Sequence, residues 1–472
     1  MAFSTLSFAP FIFIVLALFV SVLPRWLPGL LILASYAFYG WAQPASVVLL
    51  LALTGFTWVL GKEIGRSETA VRRKRLVFAG VSANLVLLGV FKYGGFSAGE
   101  FAALLRKLGW LQESTPLSLA LPLGISFLTF RSISYLVDVS RKKIDACPSL
   151  PLFALHLSYF PQVVSGPIER ADHLIPQLEK ISSRQEEILE RLPEAITLFA
   201  LGWAKKHFAD LLAPVGNALF DDPAGSTAAS AAFGVLAYGL QVYADFSGYT
   251  NMAQGVSWLF GVRLVENFNL PYLAKDMDEF WRRWHISLST WIREYLHFPL
   301  SRKLLQWSQR RFSLALQPTS YLVTMSLVGL WHGASWNFLV WGSLHGLFLA
   351  SQHLYSKLRF PRLPKVPAWL LTQLCVFLAW IPFRAGSWEV VSGVFKAFTV
   401  PAWTLPPLQL VYAIVGLIVL DTLGYRRTLN RTSIAIPAHW KAGAWIAACI
   451  WLFLIQYTLW GTYSTQFIYF QF

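Results

Sequence analysis

No aspartate, glutamate, lysine or arginine occurs between Phe312 and Ser356. A long run without charge is typical of segments that lie in the hydrocarbon of a membrane, where a helix needs about 20 apolar residues to cross. His332 nevertheless lies in the middle of this run. An ionisable side chain at that depth is costly unless it has polar partners or faces water, so His332 is a functional candidate.

The composition of the whole chain predicts an all-α polytopic membrane protein. Of its 472 residues, 56% are hydrophobic and only 13% are charged, whereas soluble domains average about 25% charged residues. We expect about 11 transmembrane helices, together with re-entrant or interfacial helices around a cavity, because Gly or Pro interrupts several apolar runs. The interruptions fall at Pro122, Gly124, Pro161, Gly166 and Gly248. The candidate runs are roughly 8–24, 26–42, 45–61, 76–93, 117–138, 149–166, 193–208, 229–247, 249–262, 319–340, 340–356, 367–383, 407–423 and 442–462.

The net charge of +15 is concentrated in basic clusters that flank the apolar runs. The clusters lie in residues 62–75, 141–143, 357–365 and 426–441. The positive-inside rule places all four clusters in the cytoplasm and therefore places the N-terminus outside. The first run begins near Phe8 with no basic segment before it, which predicts a first span rather than a cleaved signal peptide. The basic excess indicates topology, and we expect no nucleic-acid partner.

Residues 263–311 differ from the apolar runs because they combine nine lysines or arginines with several aromatic residues. Their amphipathic helical period predicts a segment that lies in the cytoplasmic interface of the membrane. Such a segment either anchors the chain to anionic lipid or supplies cations to a phosphorylated cofactor, and the sequence favours the two roles equally. His285 lies within this segment, directly after Trp284.

Two of the nine histidines, His332 and His345, lie deep in apolar sequence. On one uninterrupted helix their side chains would point about 220° apart, so they are not expected to share a metal ion. No carboxylate stands three or four residues after His285 or His332, and the three cysteines are scattered. We therefore predict no metal. For His332, a buried imidazole that bonds between helices and a catalytic group both stay open.

Two other polar residues interrupt apolar sequence. Asp245 is the only charged residue between Ala224 and Val262, and its favoured role is a cap or interhelical hydrogen bond at a break near Gly248. The wall of a polar cavity is the alternative. Gln162 is expected to lie in a broken helix that lines a cavity. No phosphate loop, nucleophile elbow or carboxylate pair accompanies these residues, so enzyme and transporter stay open.

Six motifs follow one another along the chain. They are Pro122-Leu-Gly-Ile-Ser-Phe127, Phe160-Pro-Gln-Val-Val-Ser-Gly-Pro-Ile168, Tyr243-Ala-Asp-Phe-Ser-Gly-Tyr249, Asn267-Phe-Asn-Leu-Pro-Tyr272, Phe280-Trp-Arg-Arg-Trp-His-Ile-Ser-Leu-Ser289 and Leu330-Trp-His-Gly-Ala-Ser-Trp-Asn-Phe338. Because it contains these motifs in this order, the chain resembles the membrane-bound O-acyltransferase (MBOAT) family, especially its bacterial alginate O-acetylation branch. The resemblance covers nearly the whole chain, and its last two motifs are the most specific.

The resemblance implies an architecture. The family fold is a ring of tilted helices around a central tunnel, which implies a single membrane domain over residues 1–472. Within it, N-terminal helices would occupy residues 1–115, the catalytic core residues 116–356 and C-terminal helices residues 357–472. The chain would be a multi-pass protein of the bacterial inner membrane, surrounded by lipid.

The resemblance also implies residue roles. The catalytic histidine of the Trp-His-Gly motif corresponds to His332, and a second catalytic position corresponds to His285. A buried neutral imidazole suits a general base, and direct transfer is expected because the motifs contain no activated nucleophile. Acetyl-CoA would be the acyl donor. Its candidate binding residues are Arg282, Arg283, Arg293, Trp281 and Trp284, and the candidate polar residues of the tunnel are Gln162, Asp245, Tyr243, Asn267, Trp336 and Asn337.

Members of this branch work with a second protein, so a periplasmic hydrolase-like acetyltransferase is the expected partner. The pair would acetylate an extracytoplasmic polysaccharide, with alginate-like exopolysaccharide, cellulose and peptidoglycan open as acceptors. A transporter for a polysaccharide or its precursor is the alternative, although the chain shows none of the internal repeat symmetry of many transporters. A non-catalytic scaffold of a synthesis complex is the third possibility.

Overall fold

The structure is a computed structural model, and it describes residues 7–41, 43–108, 122–309 and 313–429, together with residues 3, 5, 443 and 447. All regular secondary structure in these residues is helical, without a strand among them. The predicted all-α class is therefore confirmed. Residues 117–121 of one candidate run, nearly all of the run 442–462 and the residues beyond it lie outside the described residues.

The chain divides into two compact units. The first comprises Met1–Ala195 and Ala253–Val265, and the second comprises Ile196–Met252 and Glu266–Phe472. The helices of the first unit are α1 (Phe8–Ser21), α2 (Leu27–Gly40), α3 (Ala45–Arg66), α4 (Ala70–Lys107), α5 (Ile125–Ser140), α6 (Leu150–Ser158) and α7 (Ala171–Glu179). The three boundaries between the units fall within α8 (Ile188–Asp221), within α9 (Ala228–Leu259) and between Val265 and Glu266.

The second unit continues with short helices and then longer ones. They are α10 (Met277–Arg283), α11 (Ile286–Ile292), α12 (Phe298–Trp307), α13 (Ser313–His332), α14 (Trp336–Lys357), α15 (Lys365–Arg384), α16 (Trp388–Ala397) and α17 (Leu408–Leu429). A π-helical turn, Arg293–His297, joins α11 to α12. The predicted amphipathic segment 263–311 is thus a series of short helices.

Three of the described helices are long and apolar enough to cross a membrane. They comprise Ala45–Arg66, Ala70–Glu100 and Lys365–Arg384, and two shorter apolar helices comprise Phe8–Ser21 and Leu408–Gly424. Large apolar side chains on these helices are exposed, such as Phe78 at 75%. A helix satisfies its own backbone hydrogen bonds, so it can present such a surface to hydrocarbon. The chain is therefore a membrane protein.

In the first unit, a buried turn follows the short helix α6. This helix ends at Ser158, so the run 149–166 is helical over only half its length. Gly124 precedes α5 with a φ of +71°, a conformation that favours glycine. A Cβ added at Gly124 would meet the carbonyl oxygen of Val163 at 2.6 Å. The interruptions predicted at Gly124 and Pro161 are therefore real, and the backbone at Gly124 packs directly on the turn at Val163 and Val164.

The helix break predicted at Gly248 is wrong. The runs 229–247 and 249–262 form one continuous helix, α9, over Ala228–Leu259. A Cβ at Gly248 would lie 2.6 Å from the carbonyl oxygen of Gly202 on α8. Glycine is present here because the two helix backbones touch, which is a common use of small residues in membrane helices.

His332 lies at the tip of a helical hairpin made of α13 and α14. The first helix ends at His332 and the second begins at Trp336, so residues 332–345 are not one uninterrupted helix. Gly329 and Gly342 face each other, and a Cβ at Gly342 would lie 2.9 Å from the Gly329 Cα. The backbones of the hairpin can therefore approach closely. The 220° separation expected for His332 and His345 does not apply.

Candidate active site

His332 is enclosed by aromatic rings. It is the last residue of α13 and only 4% exposed. The rings of Trp331, Trp341 and Phe383 lie 4.7, 4.9 and 5.2 Å from its imidazole, measured between ring centroids, and all three meet it edge to face. This packing fixes the plane of the imidazole and keeps bulk water away from it.

His285 occupies a strained turn between α10 and α11. Its φ of +43° and ψ of +55° place it in the left-handed region, which is uncommon for a residue with a bulky side chain. The side chain is fully buried, and its ring lies 4.6 Å from the ring of Phe246. Such strain is maintained only where the surroundings specify it, and it is frequent at functional sites.

Asn267 is one of the residues that hold the turn at His285 in place. Its Oδ1 accepts hydrogen bonds from the Ser287 amide at 3.1 Å and from the Ser287 hydroxyl at 2.7 Å. Its backbone carbonyl accepts from the Ile286 amide at 2.9 Å. Asn267, which was predicted as a polar residue of the tunnel, is completely buried beneath the turn that presents His285.

One indole ring contacts both histidines predicted as catalytic. The Trp331 ring centroid is 4.7 Å from that of His332 and 6.4 Å from that of His285. The structure therefore brings together two residues that are far apart in sequence. The sequence predicted both positions, but nothing in it showed that Trp331 would lie between them.

A cavity of about 510 Å³ adjoins this region. It is lined by Asp278, Trp281, Arg282, Ile286, Leu288, Ser289, Thr290, Ile292, Arg293, His297, Phe298, Tyr321, Thr324, Met325, Val328 and Leu349. Neither His285 nor His332 belongs to the wall, but Ile286 directly follows the first histidine and Val328 lies one helical turn before the second. The cavity has the size of a small-molecule site and an apolar wall with a few polar groups.

Three of the five predicted donor-binding residues line the cavity. They are Trp281, Arg282 and Arg293. Arg282 contacts the carboxylate of Asp278, one turn earlier on α10. Arg293 is exposed, and no carboxylate of the described residues forms an ion pair or hydrogen bond with it. Its positive charge is therefore available to an anionic ligand.

The other two predicted donor-binding residues, Arg283 and Trp284, do not line the cavity. Arg283 donates to Glu279 at 2.8 Å and to the carbonyl oxygen of Asn269 at 3.0 Å. Burial raises the pKa of Glu279, but hydrogen bonds from the Lys275 amide and from Arg283 outweigh burial, and the net effect lowers the pKa. Trp284 is buried and does not line the cavity.

The remaining predicted tunnel residues have different surroundings. Trp336 is 56% exposed at the start of α14, whereas Asn337 is buried and donates to the carbonyl oxygen of Ala385 at 2.6 Å. Gln162 lies in the first unit, where its amide nitrogen donates to the His156 carbonyl oxygen at 2.9 Å.

Tyr243 and Asp245 belong to a buried network of charges. The hydroxyl of Tyr243 donates to both carboxylate oxygens of Asp421, at 2.9 and 2.8 Å, and Lys205 bonds the same carboxylate at 2.9 Å. Lys206 lies 3.0 Å from Asp245. Of the two structural roles favoured for Asp245, the interhelical bond is present, because Asp245 on α9 contacts Lys206 on α8, whereas the helix cap is absent because α9 does not break there. Sequence reasoning missed both lysines, although two adjacent lysines inside an apolar run were a visible signal.

His345 is another residue whose surroundings could not be predicted from the sequence. It is completely buried, and its ring lies 4.8 Å from Trp341 and 5.2 Å from Trp281. Trp341 also packs on His332, so His345 and His332 contact the same indole. Within the part of the chain that the structure describes, no group of three or more metal-ligating side chains occurs.

These observations define a membrane protein with two buried histidines beside a cavity whose wall includes Arg293, a cation that no described carboxylate pairs. A model of the MBOAT, membrane-bound O-acyltransferase family matches residues 30–381, which include both histidines and every residue of the cavity. The chain belongs to this family, and it is an acyltransferase.

Similar proteins extend this result. The chain is 36% identical over 408 residues to a protein of Azotobacter vinelandii named probable alginate O-acetylase AlgI, covering 84% of this chain and 79% of that one. A protein of the same name from Pseudomonas aeruginosa is 35% identical over 415 residues, covering 85% and 77%. A peptidoglycan O-acetyltransferase of Helicobacter pylori is 32% identical over 395 residues, covering 78% and 72%.

Proposed function

We propose that this protein takes acetyl groups from cytoplasmic acetyl-CoA and moves them across or into the membrane for O-acetylation of an extracytoplasmic polysaccharide. The observation that carries the proposal is a buried His332 beside a 510 Å³ cavity, with Arg293, which no described carboxylate pairs, on its wall. The relatives named alginate O-acetylase and peptidoglycan O-acetyltransferase support acetyl as the acyl group and a glycan as the acceptor class.

In this proposal His332 is the general base. A ring nitrogen accepts the proton of the acceptor hydroxyl while the hydroxyl oxygen attacks the thioester carbonyl carbon. The new C–O bond forms, the C–S bond breaks, and the departing CoA thiolate takes up the proton. General base catalysis contributes typically about 10²–10⁴-fold in rate. Transfer is direct, without an acyl-enzyme.

His285 supplies the second polar group of the reaction. Its strained turn and its contact with Trp331 support a role that depends on exact placement. Three such roles fit its position: orienting the acyl group, holding the tautomer of His332, or stabilising the oxyanion of the tetrahedral intermediate.

The CoA part of the donor binds at the cavity. Arg293 and Arg282 meet its phosphates and Trp281 packs against it, because a guanidinium forms charge-assisted hydrogen bonds with phosphate oxygens. Arg283 and Trp284 are left out of this set, since neither of them lines the cavity. No metal takes part in the proposed reaction.

The finer features of the architecture belong to the same proposal. They are a single domain of about 11 spans arranged as a ring around a tunnel, in the bacterial inner membrane. The N-terminus lies outside, because the basic clusters then lie in the cytoplasm. The expected partner is a periplasmic hydrolase-like acetyltransferase that delivers the acetyl group to the polymer.

The test is the acetyl ester content of the surface polysaccharides of the cell. It compares wild type, a deletion and His332→Ala at equal membrane abundance. His353→Ala is the control, because His353 is partly exposed near the end of α14 and outside the cavity wall. We expect the deletion and His332→Ala to lose O-acetyl esters and the control to keep them.

The same measurement separates the alternatives. Loss of esters in the deletion alone would make the protein a scaffold or conduit and would remove His332 from the mechanism. Unchanged esters in every strain would contradict acetylation of the polymers assayed and favour transport. Isolated polymer fractions identify the acceptor, because the fraction that loses its esters is the substrate.

A further inference from the structure

Arg131 is a fully buried cation in the first unit. It lies in α5 about ten residues before the basic cluster at 141–143, and only 1% of it is exposed. Burying a guanidinium without a counter-charge costs several kcal/mol, so native proteins pair such groups. The surroundings of Arg131 therefore show how its charge is compensated.

The hydrogen bonds of Arg131 are few and long. Its Nε donates to the Phe127 carbonyl oxygen at 3.4 Å, and its Nη2 donates to the Val163 carbonyl oxygen at 3.4 Å. Its Nη1 has no hydrogen-bond partner among the described residues. No carboxylate in that part of the chain forms an ion pair with it. One edge of the guanidinium thus contacts neutral backbone, and the other is left unsatisfied.

The carboxylate within electrostatic range of Arg131 is Glu169, but this group is already occupied. One oxygen of Glu169 accepts from the Val265 amide at 2.5 Å, and the other lies 2.6 Å from Nδ1 of His173. That hydrogen bond raises the pKa of His173, which favours the imidazolium beside the carboxylate. Both oxygens of Glu169 are therefore bonded to other groups, and its charge acts on Arg131 only through space, without an ion pair or hydrogen bond.

Two neighbouring side chains also carry unused polar atoms. His156 is completely buried within electrostatic range of Arg131, and neither of its ring nitrogens has a hydrogen-bond partner in the described segments. Gln162 donates to the His156 carbonyl oxygen and precedes Val163, the acceptor of Arg131. Arg131 and His156 thus meet the same buried turn, and both carry donors without acceptors.

We propose that Arg131 holds a small monovalent anion, such as chloride or acetate, between α5 and the turn that follows α6. The sign of the ion follows from the guanidinium, whose Nη1 has no acceptor among the described residues, with Nη1 of Arg131 and a ring N–H of His156 as donors. Its size follows from burial, because Arg131, His156, Gln162 and Val163 are each at most 1% exposed. A site closed in this way has no room for a nucleotide or a sugar.

The anion stabilises the interrupted backbone of the first unit. The turn after α6 already packs on Gly124 at the start of α5, and the ion adds a charged link between the same two segments. Anything that binds the folded state alone raises its stability with concentration. The protein should therefore become more stable as a small anion is added at constant ionic strength.

The experiment uses the purified full-length protein in detergent, with gluconate as the large reference anion. Chloride, bromide and acetate replace gluconate in separate titrations, and the thermal unfolding midpoint is measured for wild type, Arg131→Gln and Arg131→Lys. Arg141→Gln is the matched control, since it removes the same charge from the exposed end of α5. Bromide-soaked crystals of the wild type locate the ion by anomalous scattering.

We expect a saturable rise of the midpoint in wild type and in Arg141→Gln. Arg131→Gln should weaken the apparent affinity at least about tenfold, because a hydrogen bond to a charged group is lost. The better response to chloride or to acetate identifies which anion fits. Absence of a saturable response in wild type, an equal response in Arg131→Gln, or no bromide peak beside Arg131 would each overturn the proposal. If Arg131→Gln does not fold, the bromide map and Arg131→Lys still decide.

Discussion

Arg293 carries a positive charge on the cavity wall that no described carboxylate neutralises. If CoA phosphates bind there, Arg293→Gln removes one charge-assisted contact, worth about 1.5–3 kcal/mol. We expect the KM for acetyl-CoA to rise about tenfold or more with little change in kcat, since about 1.4 kcal/mol corresponds to a factor of ten. Initial rates in proteoliposomes at several donor concentrations measure both constants.

Arg283→Gln is the matched control for that prediction. It removes the same charge ten residues earlier, from a side chain paired with Glu279 outside the cavity. Its KM should stay near the wild-type value, whereas an equal rise in both variants would indicate a general surface potential. The contrast between these two arginines also explains why more arginines were predicted at the donor site than line the cavity. The sequence shows the cations but not the carboxylates that neutralise them.

The second prediction at the scale of residues concerns Asn267. Asn267→Ala removes the acceptor of two hydrogen bonds from Ser287 and frees the left-handed turn at His285. Donors left unpaired in a buried site cost about 1–3 kcal/mol each, so we expect a lower unfolding midpoint. We also expect kcat to fall about tenfold or more while the KM for acetyl-CoA changes little, because His285 is displaced and the cavity is not.

Asn269→Ala tests whether the effect is specific. Asn269 is exposed, and its backbone carbonyl rather than its side chain accepts from Arg283. This variant should behave as wild type in rate and in unfolding midpoint. A loss of stability in Asn267→Ala without any loss of kcat would show that the turn at His285 has no part in the reaction.

At the scale of elements, the contact between α8 and α9 depends on two glycines. Gly248→Ala would place a methyl group 2.6 Å from the Gly202 carbonyl oxygen and 3.1 Å from the Lys206 amide. Both neighbours are backbone atoms and cannot rotate away, so the helices must separate. Overpacking of this kind costs typically about 1–3 kcal/mol. The midpoint of unfolding in detergent should fall accordingly.

For Gly89→Ala we expect the opposite effect on the free energy of unfolding. A Cβ at Gly89 on α4 would have no neighbour within 4 Å. Alanine there should be neutral or raise stability by up to about 1 kcal/mol, because it lowers the flexibility of the unfolded chain. If Gly248→Ala is as stable as Gly89→Ala, the close contact of the two backbones is not required.

Gly248 also shows what a sequence pattern can and cannot specify about an element. Glycine in an apolar run indicates a break at Gly124 and a helix contact at Gly248, and the two uses are identical in a single sequence. The difference lies in the partner backbone, which is Val163 in the first case and Gly202 in the second. Such long-range partners cannot be deduced from local propensity, whereas the helical class could be.

At the scale of the whole molecule, His332 could be selected as a candidate from the sequence, whereas the residues around it could not. The isolated polar residue in an apolar run identified His332, because the cost of burial makes such residues rare. The structure adds that Trp331 contacts both histidines and that Lys205, Lys206 and Asp421 complete a buried charge network. None of these pairings follows from spacing, since their members come from separate helices.

The orientation of the chain in the membrane is the last prediction. If the cluster 62–75 lies in the cytoplasm, α4 carries the chain outward, and its two ends lie on opposite sides. Lys74 and Leu108 are exposed near these ends. In a chain whose three native cysteines are replaced, a membrane-impermeant maleimide should label Leu108→Cys in intact spheroplasts. It should label Lys74→Cys only after the membrane is opened. The reverse pattern would place the cluster 62–75 outside the cytoplasm and would refute the proposed orientation of the chain.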